Sequence, residues 1–312
     1  MIRCCWHRPP TERSAQQDSG TARSVYYLDL LVIGLVWGCT YAMMALGLTL
    51  VYGLLRVLHV AQATVFTLGA YAGLLTVNAS GSMALGFLAA IAASCLAGVA
   101  MYRWVYEPVL DKPPFVPLVA SIGLLIAMED GFRLIFGPYG LSFDHNPWFA
   151  SMMGVAGIQI NGVQLVMVIA AIVSIAVLAW VASSTRLGVG LRATVTDPAM
   201  AESFGVNRVQ VRTVTFLVAS ALAGVSGLLV GMLNNLVEPG MGGLIAYKGL
   251  AIIVLGGLGS VSGTLVASVL FGLIESFGTV MLDQIMDRDA VAFLFMLVML
   301  LLRPQGLLGK GR

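Results

Sequence analysis

Residues 30–55 carry no charged side chain, and neither do residues 163–183 or 213–237. A run of ~20 apolar residues coils into a helix long enough to cross the hydrocarbon core of a bilayer. Charged residues make up only 10% of the chain and hydrophobic ones 59%, with a mean hydropathy of +0.92, whereas a soluble domain is roughly a quarter charged. At 312 residues the chain has length enough for an ordinary core, so the apolar surplus is lipid-facing surface. A membrane β-barrel would show short alternating strands with polar lumen-facing residues, and that pattern is absent. Thirty-six glycines beside 9% aromatics suit helices whose backbones approach closely. These features predict an all-α polytopic membrane protein.

The runs also lay out the chain. Residues 1–24 are polar and basic, without helical periodicity. They are expected to form a disordered tail, or to precede a true translation start near Val25. Residues 25–310 are expected to form a single transmembrane domain. After the first span, His59 is the one Asp, Glu, Lys, Arg or His side chain between Arg56 and Arg103, which leaves room for two spans turning at 78–82. EPVLDKPP (107–114) is polar and proline-rich and reads as a loop. Residues 115–136 span again, with Glu129, Asp130 and Arg133 as interfacial groups at the far end. Residues 137–162 read as an irregular extramembrane loop.

Beyond the span at 163–183 comes the longest polar segment, 185–212, then a span at 213–237 and a loop at 238–244. The run 249–274 is broken by GGLGSVSG (256–263), and the last apolar stretch, 290–302, leads into RPQGLLGKGR. The total is eight or nine transmembrane helices, some of them broken. Arginine and lysine in short loops mark the cytoplasmic side. That places 103–114, 185–212 and the C-terminus, with Arg303, Lys310 and Arg312, inside, and 137–162 outside. By the same count the basic tail falls outside if 28–55 is one span, against the rule.

Several function classes are excluded. The net charge of +2 comes without the basic stripe that nucleic-acid binding needs. Cys39 and Cys95 lie in apolar runs as small hydrophobes, and Cys4–Cys5 lack metal-ligand spacing. His7, His59 and His145 lie far apart, which disfavours an intramembrane enzyme. No phosphate-binding loop of the Gly-x-x-x-x-Gly-Lys type occurs, so no cofactor is expected in this chain.

The segment 185–212 reads TRLGVGLRATVTDPAMAESFGVNRVQVR. Its Gly188, Arg192, Ala193, Asp197, Ala201 and Gly205-Val206-Asn207 resemble the cytoplasmic coupling loop of the permease subunits of branched-chain amino acid ABC transporters. Four further blocks resemble that family in the same order: 41–63, 215–231, 246–263 and 303–309. Together they cover about residues 26–310. The sequence departs at His59-Val60-Ala61-Gln62-Ala63, where the family usually reads asparagine, phenylalanine, alanine, histidine, glycine, and at the charged Glu129-Asp130. These departures leave open a relative that carries another small amide, amino acid or carboxylate.

The resemblance implies an ABC importer permease fold in a bacterial inner membrane. It implies two cytoplasmic ATPase subunits that bind ATP and Mg, and a second permease subunit or a copy of this chain. It also implies a periplasmic substrate-binding protein and surrounding membrane lipid. The handle for the ATPase is expected as a short helix within 194–204, with Asp197 as N-cap ahead of Pro198 and Gly205 as a left-handed stop. Ala199, Met200, Ala201 and Phe204 are expected to form its docking face. The alternative is an ordinary polar loop with one helical turn.

The translocation path is expected near His59, Gln62, Lys248, Gly256, Gly257, Gly259, Ser260, Gly263 and Glu275. The glycines serve either close helix packing or a break whose freed backbone groups line the path. Glu275 is a lone acid in an apolar span, which is costly and points to function. Lys248 is its expected partner, and an interhelical tie that never meets substrate is the plainer alternative. His59 and Gln62 are expected to hydrogen-bond locally or to gate. A secondary transporter or channel is the competing class. It would show paired internal repeats with charged midplane sites, and no convincing repeat is present.

Overall fold

The computed structural model describes residues 12–110, 112–144, 152–155, 158–282, 288–302 and 306–307. Helix α1 (Glu12–Leu55) is followed by α2 (Gln62–Ser80) and α3 (Met83–Met101). A π-helical turn (Tyr102–Tyr106) and a 3-10 turn (Glu107–Val109) extend α3 towards α4 (Phe115–Phe136). A hairpin of β1 (Met152–Val155) and β2 (Ile158–Asn161) precedes α5 (Gly162–Ser184). Then come α6 (Arg186–Thr196), α7 (Pro198–Ser203), α8 (Arg208–Asn234), α9 (Met241–Gly256), α10 (Val261–Leu282) and α11 (Arg288–Leu302).

Most boundaries follow from local chemistry. Gly81, at φ +66, ends α2 and donates to the Val77 carbonyl at 2.8 Å, a left-handed stop that costs glycine nothing. Asn161 and Gln164 close a reciprocal capping box on α5, satisfying amides that the first turn leaves without partners. Asn207 caps α8 by accepting from the amides of Val209 and Gln210 at 3.0 and 3.2 Å. Two expectations need correcting. The loop expected from 107 is still helical through Val109. The stretch 137–162 holds an antiparallel hairpin, with Met152 opposite Asn161 and Val155 opposite Ile158; β-branched Val155, Ile158 and Ile160 favour that extended geometry.

Among the described residues, six helices are long and apolar enough to cross a membrane: α1 from Tyr26, α3 with its extension, α4, α5, α8 and α10 through Val280. Helices α2, α9 and α11 run between the same two ends of the bundle without being among those six. Helix α1 is continuous through the first span and reaches back to Glu12. Residues 1–11 and the C-terminal charges at 303, 310 and 312 lie outside the described residues.

The core sits where α1, α2, α8, α9 and α10 meet. About two-thirds of the apolar window of α1 (67%) and 72% of that of α8 are buried, against 22%, 17% and 11% for α3, α4 and α5. Helices α3–α5 therefore form the outer wall. Close approach inside depends on small residues: a Cβ on Gly227 would run into the Phe66 carbonyl oxygen of α2. Glu129 and Asp130 each pair with Arg133 one turn on, at 2.6 and 3.2 Å, with Asp130 and Arg133 exposed and Glu129 half-buried. Such pairs contribute at most a few tenths of a kcal/mol, as befits interfacial charges.

The bundle has two chemically distinct ends. At one, α6 wedges between the C-terminal ends of α1 and α5 and the start of α8, around Leu50, Val181, Leu187, Leu191 and Val211. The α9–α10 turn joins this end, with Gly259 near Gly53. At the other end, Asn78 donates to the Ser142 carbonyl and accepts from the Asp144 amide, both at 3.1 Å. Leu141 and Val237 exchange two backbone hydrogen bonds of 2.9 Å there. Arg56, Arg103, Arg186, Arg192, Arg208 and Arg212 all fall towards the first end.

Candidate transport site

The loop chemistry of 185–212 builds a compact projection at the arginine-rich end. Helix α6 closes on the Ala193 carbonyl, which accepts from the Asp197 amide at 3.0 Å. Asp197 then turns outward and its carboxylate accepts from the amides of Ala199 and Met200, both at 3.0 Å. Pro198 occupies the first helical position, where no amide is needed. Gly205, at φ +83, ends α7 and donates to the Glu202 carbonyl at 2.9 Å. Arg208 holds Glu202 at 2.9 Å, fastening α7 to the start of α8.

Met200 is 56% exposed and Phe204 81% exposed, an apolar tip on a polar projection. Ala199 and Arg192 are also exposed. Ala201 is not part of that face: it is 4% exposed, because the fourth residue of so short a helix turns back towards the bundle. Replacing Asp197 by alanine removes both hydrogen bonds of the carboxylate to the Ala199 and Met200 amides and is expected to cost about 1 kcal/mol locally. Limited proteolysis should then nick 197–206 faster while the spans stay protected.

Within the bundle, Lys248 of α9 and Glu275 of α10 form an ion pair of 2.7 Å with side chains 5% and 0% exposed. The Tyr41 hydroxyl of α1 donates to the other Glu275 oxygen at 2.7 Å and accepts from Lys248 at 3.3 Å. The ammonium also lies 5.6 Å from the Tyr41 ring centroid. Three helices thus meet at one buried charge pair, and Lys248 is the partner expected for Glu275. A cavity of ≈ 480 Å³ reaches down to this cluster, lined by Trp37, Tyr41, Asn234, Glu238, Ile245 and Lys248 among others. Asn234 and Glu238 are exposed at its rim, on the end opposite α7, whereas Tyr41 and Lys248 are buried. Met241 to Lys248 is two turns of helix, so the floor lies about 10 Å below the rim.

The other candidate path residues lie elsewhere. His59 and Gln62 are 1% and 0% exposed and do not line this cavity. The His59 Nδ1 meets the Tyr106 hydroxyl at 2.5 Å, and Gln62 donates to the Ala219 carbonyl at 2.7 Å. The histidine ring also packs on Phe216.

The glycine break is a tight turn. Gly257 and Gly259 adopt φ +97 and +84. A Cβ on Gly256 would lie 2.6 Å from the Gly263 carbonyl carbon, so the helices on either side touch backbone to backbone. Ser260 holds the turn through its oxygens, accepting from the Gly263 amide at 3.2 Å and from the Thr264 hydroxyl at 2.9 Å. Its exposed hydroxyl otherwise meets Ser262. The Leu307 amide donates to the Leu255 carbonyl at 2.7 Å, with Gly306 against Gly257. The freed backbone groups are met by protein, which is what close packing requires.

Sequence reasoning missed Trp37, Tyr41, Asn234 and Glu238. Tyr41 carried one usable signal, since a hydroxyl inside an apolar span must find a partner. The other three become neighbours only through tertiary packing.

Comparison with known proteins places the chain in a family. The family model described as "Branched-chain amino acid transport system / permease component" matches residues 30–302. The high-affinity branched-chain amino acid transport system permease protein BraD of Pseudomonas aeruginosa is 32% identical over 305 residues, covering 91% of this chain and 96% of that protein. The permease protein LivH of Escherichia coli is 28% identical over 298 residues, covering 92% and 96%. A probable LivH of Methanocaldococcus jannaschii is 25% identical over 304 residues, covering 92% and 90%. Among solved structures, PsaBC from Streptococcus pneumoniae in complex with Fab aligns with a TM-score of 0.45 at 14% identity, covering 89% of this chain and 90% of that one. Matched from residue 30 to residue 302, this chain belongs to the family of branched-chain amino acid transport permeases.

Proposed function

We propose that this chain is the pore-forming permease subunit of an ATP-driven importer for branched-chain amino acids, and that α7 is where its ATPase takes hold. The observation that carries the coupling reading is the capped helix Pro198–Ser203, which presents Met200 and Phe204 to solvent at the arginine-rich end. The chain has no phosphate-binding loop of its own. ATP and Mg therefore belong to partner subunits, two ATPases on the cytoplasmic side. Arginine bias makes the α7 end cytoplasmic, and the C-terminal segment at Gly306–Leu307 then lies on the same side. The cavity rim at Asn234 and Glu238 faces outward, where a substrate-binding protein would deliver its load. A second permease, homologous or identical, completes the pore in the inner membrane.

Phe204→Asp with Met200→Asp is the test. An exposed aromatic anchor at an interface centre contributes about 2 kcal/mol or more, roughly thirtyfold in affinity. In vesicles carrying the whole transporter, ATP-dependent uptake of radiolabelled leucine is expected to fall to background while the protein still inserts. Unlabelled isoleucine and valine should compete; urea, short amides and small carboxylates should not. Uptake that survives the double change, or that follows an ion gradient without the ATPase, replaces this reading with a secondary transporter.

A further inference from the structure

The Lys248–Glu275–Tyr41 cluster is costly as a plain tie between helices. Removing two charges from water takes several kcal/mol per ion, and apolar residues of the same volume commonly serve as well or better. Ionisable groups persist inside membranes where a polar path needs them. The placement here is specific. Lys248 and Tyr41 form the floor of the ≈ 480 Å³ cavity, and Glu275 is 0% exposed and absent from the lining. Glu275 therefore fixes the ammonium from behind, and Lys248 is the charge an entering solute would meet.

The remaining lining has the complementary character. Trp37, Val230, Leu244 and Ile245 supply apolar wall, and the acid Glu238 stands at the rim. The volume lies in the range of small-molecule sites, which pair an apolar lining with a few placed polar groups. A zwitterion with a branched apolar side chain matches this arrangement. Glu238 at the mouth, about 10 Å above the floor, attracts its ammonium on approach; once inside, its side chain fits the wall and its carboxylate needs a buried cation.

Building on the importer reading, we propose that Lys248 is a carboxylate-binding station in the transport path for α-amino acids, with Tyr41 beside it and Glu275 as its positioning residue. The carboxylate docks on the Lys248 ammonium at the cavity floor. The side chain lies against Trp37 and Ile245. The station deepens the importer reading by giving the membrane subunit its own requirement for an α-carboxylate.

The test uses the complete transporter in vesicles. Asn234→Cys puts a thiol at the rim, and its alkylation by a membrane-impermeant maleimide from the outer face is read against the parent chain, which gives the background of its own cysteines. Leucine is expected to slow this labelling several-fold. Isoamylamine, which keeps the side chain and amine but lacks the carboxylate, is expected to leave it unchanged. In Lys248→Met with Glu275→Met, protection is lost and leucine uptake falls about tenfold or more, the factor expected for one hydrogen bond to a charged group.

Parental uptake in the double variant overturns the proposal. Equal protection by leucine and isoamylamine, or none by leucine, also overturns it, and these readouts need only the parental Lys248–Glu275 pair should the double variant fail to insert. Failure of the importer reading looks different: the parent chain itself then shows no ATP-dependent uptake.

Discussion

Lys248→Met, with Glu275 left in place, is expected to cost about 3–5 kcal/mol and to remove most of the protein from the membrane. That is the typical penalty for stripping a buried ion of its partner. Glu275, itself 0% exposed, would keep the Tyr41 hydroxyl but lose the Lys248 ammonium at 2.7 Å. The double change to methionine removes the stranded charge and restores near-parental stability. Thermal unfolding of the detergent-purified protein, with immunodetection in membranes, separates the two. A single variant as stable as the parent would mean that the pair is wetter than its burial indicates. Because stability returns in the double variant while transport does not, folding and transport roles of the pair can be told apart.

Gly263→Ala is the second large expected effect. A Cβ there would run into the Gly256 carbonyl oxygen, and backbone cannot swing aside as a flexible side chain can. Overpacking a tight core costs typically 1–3 kcal/mol and at times more. Here about 3 kcal/mol is expected, since α9 and α10 must part and carry the Leu307–Leu255 hydrogen bond with them. Gly53→Ala and Gly123→Ala are the controls. An added Cβ meets nothing within 4 Å at either position, and alanine is the better helix former. Thermal denaturation should rank Gly263→Ala far below both controls, and equal midpoints would refute the backbone contact.

What could be read from sequence followed the range of the forces involved. Spans were legible because lipid imposes one rule on every residue of a helix, and the turn at Asn78–Ser82 showed as a gap between apolar runs. Helix α7 was legible because its caps are local: Asp197, Pro198 and Gly205 lie within nine positions and act on amides two or three residues away. Glu275 stood out by its charge alone.

The cavity was not legible. Its walls come from α1, α8 and α9, and nothing in residues 34–44 shows that the Tyr41 hydroxyl will meet an acid 234 positions later. His59 and Gln62 were noticed for their polarity. Polarity cannot distinguish a group that lines a path from one that binds a neighbouring carbonyl, as Gln62 does with Ala219. Ala201 was misplaced because one helical turn is too short to define a face.

The burial of α1 has a consequence for how the molecule is made. This helix ends up in the interior, packed on α8, α9 and α10, and those partners are synthesised much later. While the ribosome is still working through the middle of the chain, the surface that will later hold Tyr41 against Glu275 faces only lipid or the insertion machinery. An interior helix that must wait so long in lipid has to be free of charge, as this span is from residue 30 to 55, since an ionised side chain there is costly. The acid waits on α10 instead, and enters the bilayer only when Lys248, twenty-seven residues ahead of it, has already arrived.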